Sequence, residues 1–232
     1  MVASGHMILT VLGSGYGRAT ARRATAGYLV EWSGRALLMD PSAGTYARAL
    51  KVGLDPAVLD AVLLTHHHPD HTSDLAAILW ARRQERIDRE ILLAGPPGTD
   101  RLLDAVRAID PTWYGAPCRV VDYPLEQSGL LVRSYPATHT EGAVCLRLVA
   151  QGKALAYSGD TADCEGLREA CGDVDLALLE CTAREPTRGH MTPKDCEAVV
   201  EATRPRRVLL THLGPDVEAS LPLAEDGLVE TL

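Results

Sequence analysis

Thr65-His66-His67-His68-Pro69-Asp70-His71 follows a short apolar run at 61–64, and five of its seven residues are imidazoles or carboxylates. Such a cluster is electrostatically awkward alone, because protonated imidazoles repel one another. A divalent cation removes the conflict, since neutral imidazole and carboxylate are good ligands for zinc and its neighbours. His66, His68 and Asp70 fall two apart, while His71 breaks the period and can turn toward a second ion. Pro69 is expected to prevent a regular helix across the turn.

Three more potential ligands recur where short apolar runs end. His139 follows residues 130–135, Asp160 follows 154–157 and His212 follows 207–211. Strand ends on one edge of a sheet are where open α/β folds place ligands. Singly, each has a plainer reading: a hydrogen-bonded loop histidine, or, for Asp160 in Ser158-Gly159-Asp160-Thr161, a turn former. Together they weigh differently, because five of the seven histidines beyond His6 fall in the set.

Around these positions the chain alternates unevenly between strands and helices. Strands are expected at 8–12, 28–32, 36–39, 61–64, 91–94, 119–121, 130–135, 144–149 and 154–157, with short apolar runs at 174–179 and 207–211. Helices are expected at 45–52, 75–83, 164–170 and 193–202, the last with Thr192 as N-cap and Pro193 at its first position. Gly13-Ser14-Gly15 suggests a tight turn, and the charged run 82–90 reads as a solvated helix end and loop. Residues 7–232 form one α/β domain in this reading, sheets at the centre and helices outside. Met1 to His6 reads as a cloning remnant.

With 232 residues and 46% apolar composition, the chain can bury one substantial core. Its 23 basic and 31 acidic residues give a formal charge of −8, a poor balance for gripping a polyanion. Six cysteines without a C-x-x-C pair argue against a disulfide framework and for a reducing cytoplasm. No apolar run reaches membrane-spanning length, and no signal peptide is visible at the N-terminus.

His66-x-His68-x-Asp70-His71, followed by His139, Asp160 and His212, resembles the metallo-β-lactamase superfamily signature. The resemblance implies a four-layer αββα sandwich of two mixed sheets flanked by helices. By the same resemblance, His66, His68 and His139 hold one metal, Asp70, His71 and His212 a second, and Asp160 bridges both. Asp40 is similar to the family's buried aspartate that orients a ligand. Two divalent ions, zinc first and manganese or iron(II) as alternatives, would acidify a water between them and neutralise charge on the substrate.

Members that open β-lactams commonly carry cysteine at the Asp160 position, and diiron relatives carry glutamate at the His68 position. Both departures steer the reading toward hydrolysis of phosphoesters or esters. Glu180, ten residues before His190-Met191-Thr192, is similar to the acid and His-x-Thr/Ser motifs of the ribonuclease Z-like phosphodiesterase branch. There the histidine protonates the departing oxygen, so His190 and Glu180 join Asp70 as catalytic candidates. Transfer-RNA-processing members carry a long arm between the third metal histidine and the bridging aspartate, whereas here only 20 residues separate His139 from Asp160. The expected substrate is therefore a small phosphodiester such as a cyclic nucleotide, with large nucleic acid and membrane both disfavoured. The alternatives are a carboxylic ester, lactone or thioester hydrolase, a promiscuous phosphotriester or sulfate-ester hydrolase, an RNA-processing endonuclease and a non-catalytic metal-binding scaffold. A homodimer is implied only by resemblance to the branch. Pocket-lining candidates are the loop 17–26 and Pro111-Thr112-Trp113-Tyr114.

Overall fold

The computed structural model describes residues 6–110 and 117–232. Residues 1–5 and the Pro111-Thr112-Trp113-Tyr114 segment lie outside the described residues. Strand β1 (Met7–Gly13) pairs antiparallel with β2 (Gly27–Trp32), and β2 with β3 (Arg35–Met39). Then β4 (Ala61–Leu63), β5 (Ile91–Ala94) and β6 (Cys118–Val121) add in parallel. Connecting them are α1 (Thr45–Lys51), a 3-10 turn at Pro56–Val58, α2 (Pro69–Thr72), α3 (Leu75–Gln84) and α4 (Thr99–Ala108).

The second sheet starts with the antiparallel set β7 (Leu125–Gln127), β8 (Leu130–Pro136), β9 (Val144–Ala150) and β10 (Lys153–Tyr157). It continues in parallel with β11 (Leu176–Glu180) and β12 (Val208–Thr211), reached through α5 (Glu165–Cys171) and α6 (Pro193–Thr203). A last strand, β13 (Val229–Thr231), returns to pair with β1. The sheet orders are β13-β1-β2-β3-β4-β5-β6 and β12-β11-β10-β9-β8-β7. Three of the hairpins turn on a residue followed by glycine, Ser33-Gly34, Ser128-Gly129 and Gln151-Gly152, with positive φ at both positions. That is the two-residue turn whose twist matches the flanking strands.

Alternation along the strands divides the interior into three apolar layers. Leu37, Met39, Leu155, Tyr157, Leu176 and Leu178 meet between the sheets. Leu38, Val62 and Leu93 face outward, onto Ala49, Ile78 and Leu103 of α1, α3 and α4. Ala177, Leu179 and Leu210 face the other way, onto Leu167, Cys196 and Val199 of α5 and α6. Central strands buried on both faces read as continuous apolar runs, which is why the sequence marks them so clearly. The result is the expected αββα sandwich. Among the described residues no helix is long and apolar enough to cross a membrane.

Three local expectations are corrected. Pro69 does not block a helix; it takes the first position of α2, where its missing N–H has no helical acceptor to lose. Gly13-Ser14-Gly15 makes no tight turn. It runs extended, and its glycines are required because a Cβ on Gly13 would sit 1.9 Å from the Thr25 carbonyl and one on Gly15 2.8 Å from that of Ala24. Arg82, assigned to a solvated run, is fully buried. Its guanidinium donates to the carbonyls of Ala57 and Arg89, tying α3 to the turn before β4.

Replacing Arg82 by Met would strand those carbonyls at an apolar interface. At ~1–3 kcal/mol per unsatisfied group, Arg82→Met should lower the stability by about 2–4 kcal/mol. Urea unfolding should show this as a reduced midpoint at constant m-value; a midpoint unchanged from wild type would contradict it.

Candidate metal centre

Six segments from the two sheets deliver the chemistry to one edge of the sandwich. Asp40 follows β3, residues 66–71 follow β4, His139 follows β8, Asp160 follows β10, Glu180 ends β11 and His212 follows β12. The structure brings together all seven side chains expected to bind metal. Ligating atoms of His66, His68, His139 and Asp160 lie within 4.8 Å of one another, and so do those of Asp70, His71, Asp160 and His212. Asp160 belongs to both groups, and its oxygens divide between them. Oδ2 stands 3.9 and 3.8 Å from Nε2 of His66 and His139. Oδ1 stands 3.4 Å from Nε2 of both His71 and His212. His67, the one histidine of the run left out of the ligand set, turns away and bonds Thr99 Oγ1 at 2.9 Å.

The outer nitrogen of each of four histidines is fixed by a partner that dictates its tautomer. His71 Nδ1–H donates to Asp40 Oδ2 at 2.8 Å and His139 Nδ1–H to the Gly189 carbonyl at 2.9 Å. Thr65 Oγ1 gives its proton to Asp40, so His66 Nδ1–H donates to Thr65 at 3.1 Å. Thr182 Oγ1 gives its proton to the His212 carbonyl, so His212 Nδ1–H donates to Thr182 at 2.7 Å. In all four rings Nε2 therefore points inward, as a lone pair wherever the ring is neutral. His68 Nδ1 faces two of them, 3.0 Å from His66 Nε2 and 3.2 Å from His139 Nε2. One proton at most can lie among those three nitrogens.

These inward atoms fit cations and little else. His71 Nε2, His212 Nε2 and Asp160 Oδ1 are buried with no hydrogen-bond partner. The spacings of 3.4–3.5 Å in that group are long for hydrogen bonds. They match the separation of ligands around a tetrahedral ion, about 3.4 Å for bonds of ~2.1 Å. Titration points the same way. Burial alone would lower the His71 pKa, yet Asp160 and Asp40 hold it well above the ordinary imidazole value. Burial, with His71 beside it, pushes His66 down to about 3. The pocket thus favours positive charge at its centre while leaving most of its imidazoles as open lone pairs.

Asp40 anchors one side. Fully buried, it accepts from the Thr65 amide at 2.8 Å, the Thr65 hydroxyl at 2.7 Å, His71 and the Tyr157 hydroxyl at 2.8 Å. Glu180 anchors the other, accepting from the amides of Thr161 and Thr182 at 3.2 and 2.9 Å and from His190 Nδ1 at 2.8 Å. It ties together the loops that follow Asp160 and precede His190. The Glu180 hydrogen bond raises the pKa of His190, whose ring packs 4.8 Å from His139 and stacks 6.2 Å from His212. Two residues on, Thr192 and Asp195 form a reciprocal capping box that fixes the start of α6. Asp40 and His212 both adopt positive φ, 47° and 48°, uncommon conformations held in place by these bonds.

The sequence reading did not find Tyr157, Thr182 or Gly189. Tyr157 sits in an apolar strand, and the carbonyl of Gly189 carries no side-chain signal. Thr182, two residues beyond Glu180, and Gly189, next to His190, lay beside residues already singled out.

Comparison with known proteins agrees with this arrangement. A family model described as the beta-lactamase superfamily domain matches residues 35–213. Ribonuclease Z of Streptomyces coelicolor is 26% identical over 258 aligned positions, covering 88% of this chain and 85% of the relative. Among solved structures, the metallo-beta-lactamase fold protein YhfI of Bacillus subtilis superposes with a TM-score of 0.84 at 21% identity, over 98% of this chain and 100% of that one. The short form of human tRNase Z superposes with a TM-score of 0.83 at 20% identity, over 96% and 98%.

Ligands this poorly satisfied without a cation make metal addition stabilising. Zinc or manganese at a hundred times its Kd should contribute ~2.7 kcal/mol, raising Tm by roughly 5–10 °C for a chain of this size. A chelator should reverse the shift and Asp160→Ala should abolish it. A melting curve indifferent to metal and chelator would count against the site.

Proposed function

We propose, from the premise that this chain belongs to the metallo-β-lactamase superfamily, that it is a metal-dependent hydrolase of small phosphodiesters, a cyclic nucleotide or a similar ester. In this reading His66, His68 and His139 hold one divalent cation, Asp70, His71 and His212 hold a second, and Asp160 serves both. Zinc is the first expectation, with manganese or iron(II) compatible with the same donors. When bound, such a pair supplies an acidified water and neutralises charge on the attacked group.

The observation that carries the phosphodiester reading is the Glu180–His190 pair at 2.8 Å. Glu180 takes the Nδ1 proton, which leaves His190 Nε2 as the group able to release a proton toward the site. The buried carboxylate stabilises imidazolium, so a proton stays available at neutral pH. An alkoxide leaving a phosphodiester needs that proton. Opening a lactone does not strictly demand it. The ester, lactone and thioester reading therefore accounts for the cations but leaves this pair without a task.

A second reading, an RNA-processing endonuclease, is favoured by the ribonuclease Z relatives. Against it stands the interval between His139 and Asp160, taken up by the hairpin β9–β10 with its two-residue turn Gln151-Gly152. The aligned length of 258 positions exceeds this chain's contribution, so the Streptomyces relative carries segments that are missing here. A net charge of −8 also weakens any general grip on RNA.

His190→Ala should cut kcat at least a hundredfold on a diester with an alkoxide leaving group, within the usual range for a general acid. On a p-nitrophenyl ester the same variant should lose only severalfold, because p-nitrophenolate departs unprotonated. Because the pKa of His190 is raised, the wild-type rate with the alkoxide should persist above the ordinary imidazole range and fall as pH rises through that elevated value. The variant should lack this alkaline limb. Equal losses on both esters would remove His190 from the role, and preferential cleavage of a structured RNA with a steep salt dependence would favour the endonuclease.

A further inference from the structure

The loop between β1 and β2, flagged in the sequence as a surface crossing, builds one wall of a cavity beside the metal-ligand cluster. Gly15 bridges both Thr25 and Leu213, and the Tyr16 amide donates to the Leu213 carbonyl at 3.2 Å. Leu213 is the residue after the ligand candidate His212. On the other side of Tyr16, Gly17 lies so close to Asp70 that a Cβ there would meet Oδ2 at 3.0 Å. The loop therefore touches one member of the second cluster, Asp70, and the residue next to another, His212. Between it and the segment after β12 lies a cavity of about 320 Å³, lined in part by Tyr16, Thr20, Arg22, Leu213, Pro215 and Asp216.

We infer that this cavity is a nucleobase subsite, and that the phosphodiester cleaved at the centre is a nucleotide ester whose base lies against Tyr16. The inference rests on the phosphodiesterase reading and names the group that accompanies the phosphate. Its size falls at the small end of ligand pockets, right for one flat heterocycle and too small for a helix of RNA. Its lining combines an aromatic ring and apolar Leu213 and Pro215 with a hydroxyl, a guanidinium and a carboxylate. A base has matching parts, two π faces for the ring and a polar edge for Asp216, while the Thr20 hydroxyl holds the turn by accepting from the Arg22 and Arg23 amides. An acyl chain would offer nothing to that carboxylate. Arg22 is 80% exposed at the lip and 3.7 Å from Glu225, a surface pair weak enough to let its guanidinium cover the second face. Arg23, by contrast, is committed to Ser14 and the Ala224 carbonyl and serves as scaffold.

Two esters with the same leaving group isolate the subsite: methyl p-nitrophenyl phosphate and thymidine 5′-(p-nitrophenyl phosphate). Wild-type enzyme supplied with zinc or manganese should show a KM at least tenfold lower for the thymidine ester. Tyr16→Ala should raise that KM about tenfold, the scale of one base–aromatic stack, and should leave the methyl ester within twofold. Tyr16→Phe should retain the wild-type KM, and Arg22→Ala should raise it severalfold. Binding of thymidine 5′-monophosphate by calorimetry reads the same cavity without turnover and should weaken about tenfold in Tyr16→Ala. If both esters turn over with equal KM, and Tyr16→Ala alters neither KM nor nucleotide binding, the subsite is refuted while the phosphodiesterase reading stands. If no diester turns over but the mononucleotide binds in a Tyr16-dependent way, the cavity assignment survives and the proposed reaction falls.

Discussion

Four inward-facing imidazole Nε2 atoms and the two oxygens of one carboxylate share a space a few ångströms across, and the rest of this structure is arranged around that crowding. Left alone, such atoms would lose their hydration without recovering partners, a cost of some kcal/mol for each. The chain accepts the cost by fixing four of the five rings from outside. Asp40, Thr65, Gly189 and Thr182 each take an Nδ1 proton, and this decides where the Nε2 lone pairs go. Asp160 then stands where both groups can use it, one oxygen for each.

Most of this centre could be read from the sequence, because its residues are chemically loud. Histidine is scarce, and a run of three with Asp70 and His71 following a buried strand has few structural uses. His139, Asp160 and His212 were legible only in combination and through their places at strand ends. The strands between them announced themselves through burial on both faces. What escaped was of two kinds. Tyr157 and Gly189 act through a hydroxyl inside an apolar strand and a backbone carbonyl, which no pattern distinguishes from packing. Arg82 looked like part of a solvated run because charge was weighed without the tertiary environment that buries it. Helix α4 went unread, as its ten residues are amphipathic but flanked by the Pro- and Gly-rich segment before Thr99. The strands β7 and β13, at three residues each, are too short to show a period.

Pro69 shows how a correct rule can mislead. Proline does break helices from within, but at the first position its fixed φ suits the start of one. Here α2 carries Asp70 and His71 side by side, and both reach the group completed by Asp160 and His212. Gly13 and Gly15 have a comparable lesson. Their value lies in how closely the 24–25 backbone approaches them, a property of distant chain that a local motif reading assigns to a turn. Both residues place the loop that carries Tyr16.

The origin of the ligands has one more implication. Residues 66–71 belong to the connections of the first sheet, whereas His139, Asp160 and His212 leave strands of the second. Each ligand group draws on both halves of the sandwich, and the Tyr157–Asp40 bond crosses the same divide. A cation seated there would act as a rivet through the plane along which the two halves could otherwise slide. Opening of the sandwich and release of the ion would then be one event, so the side chains gathered for a cation would also lock the two halves in register.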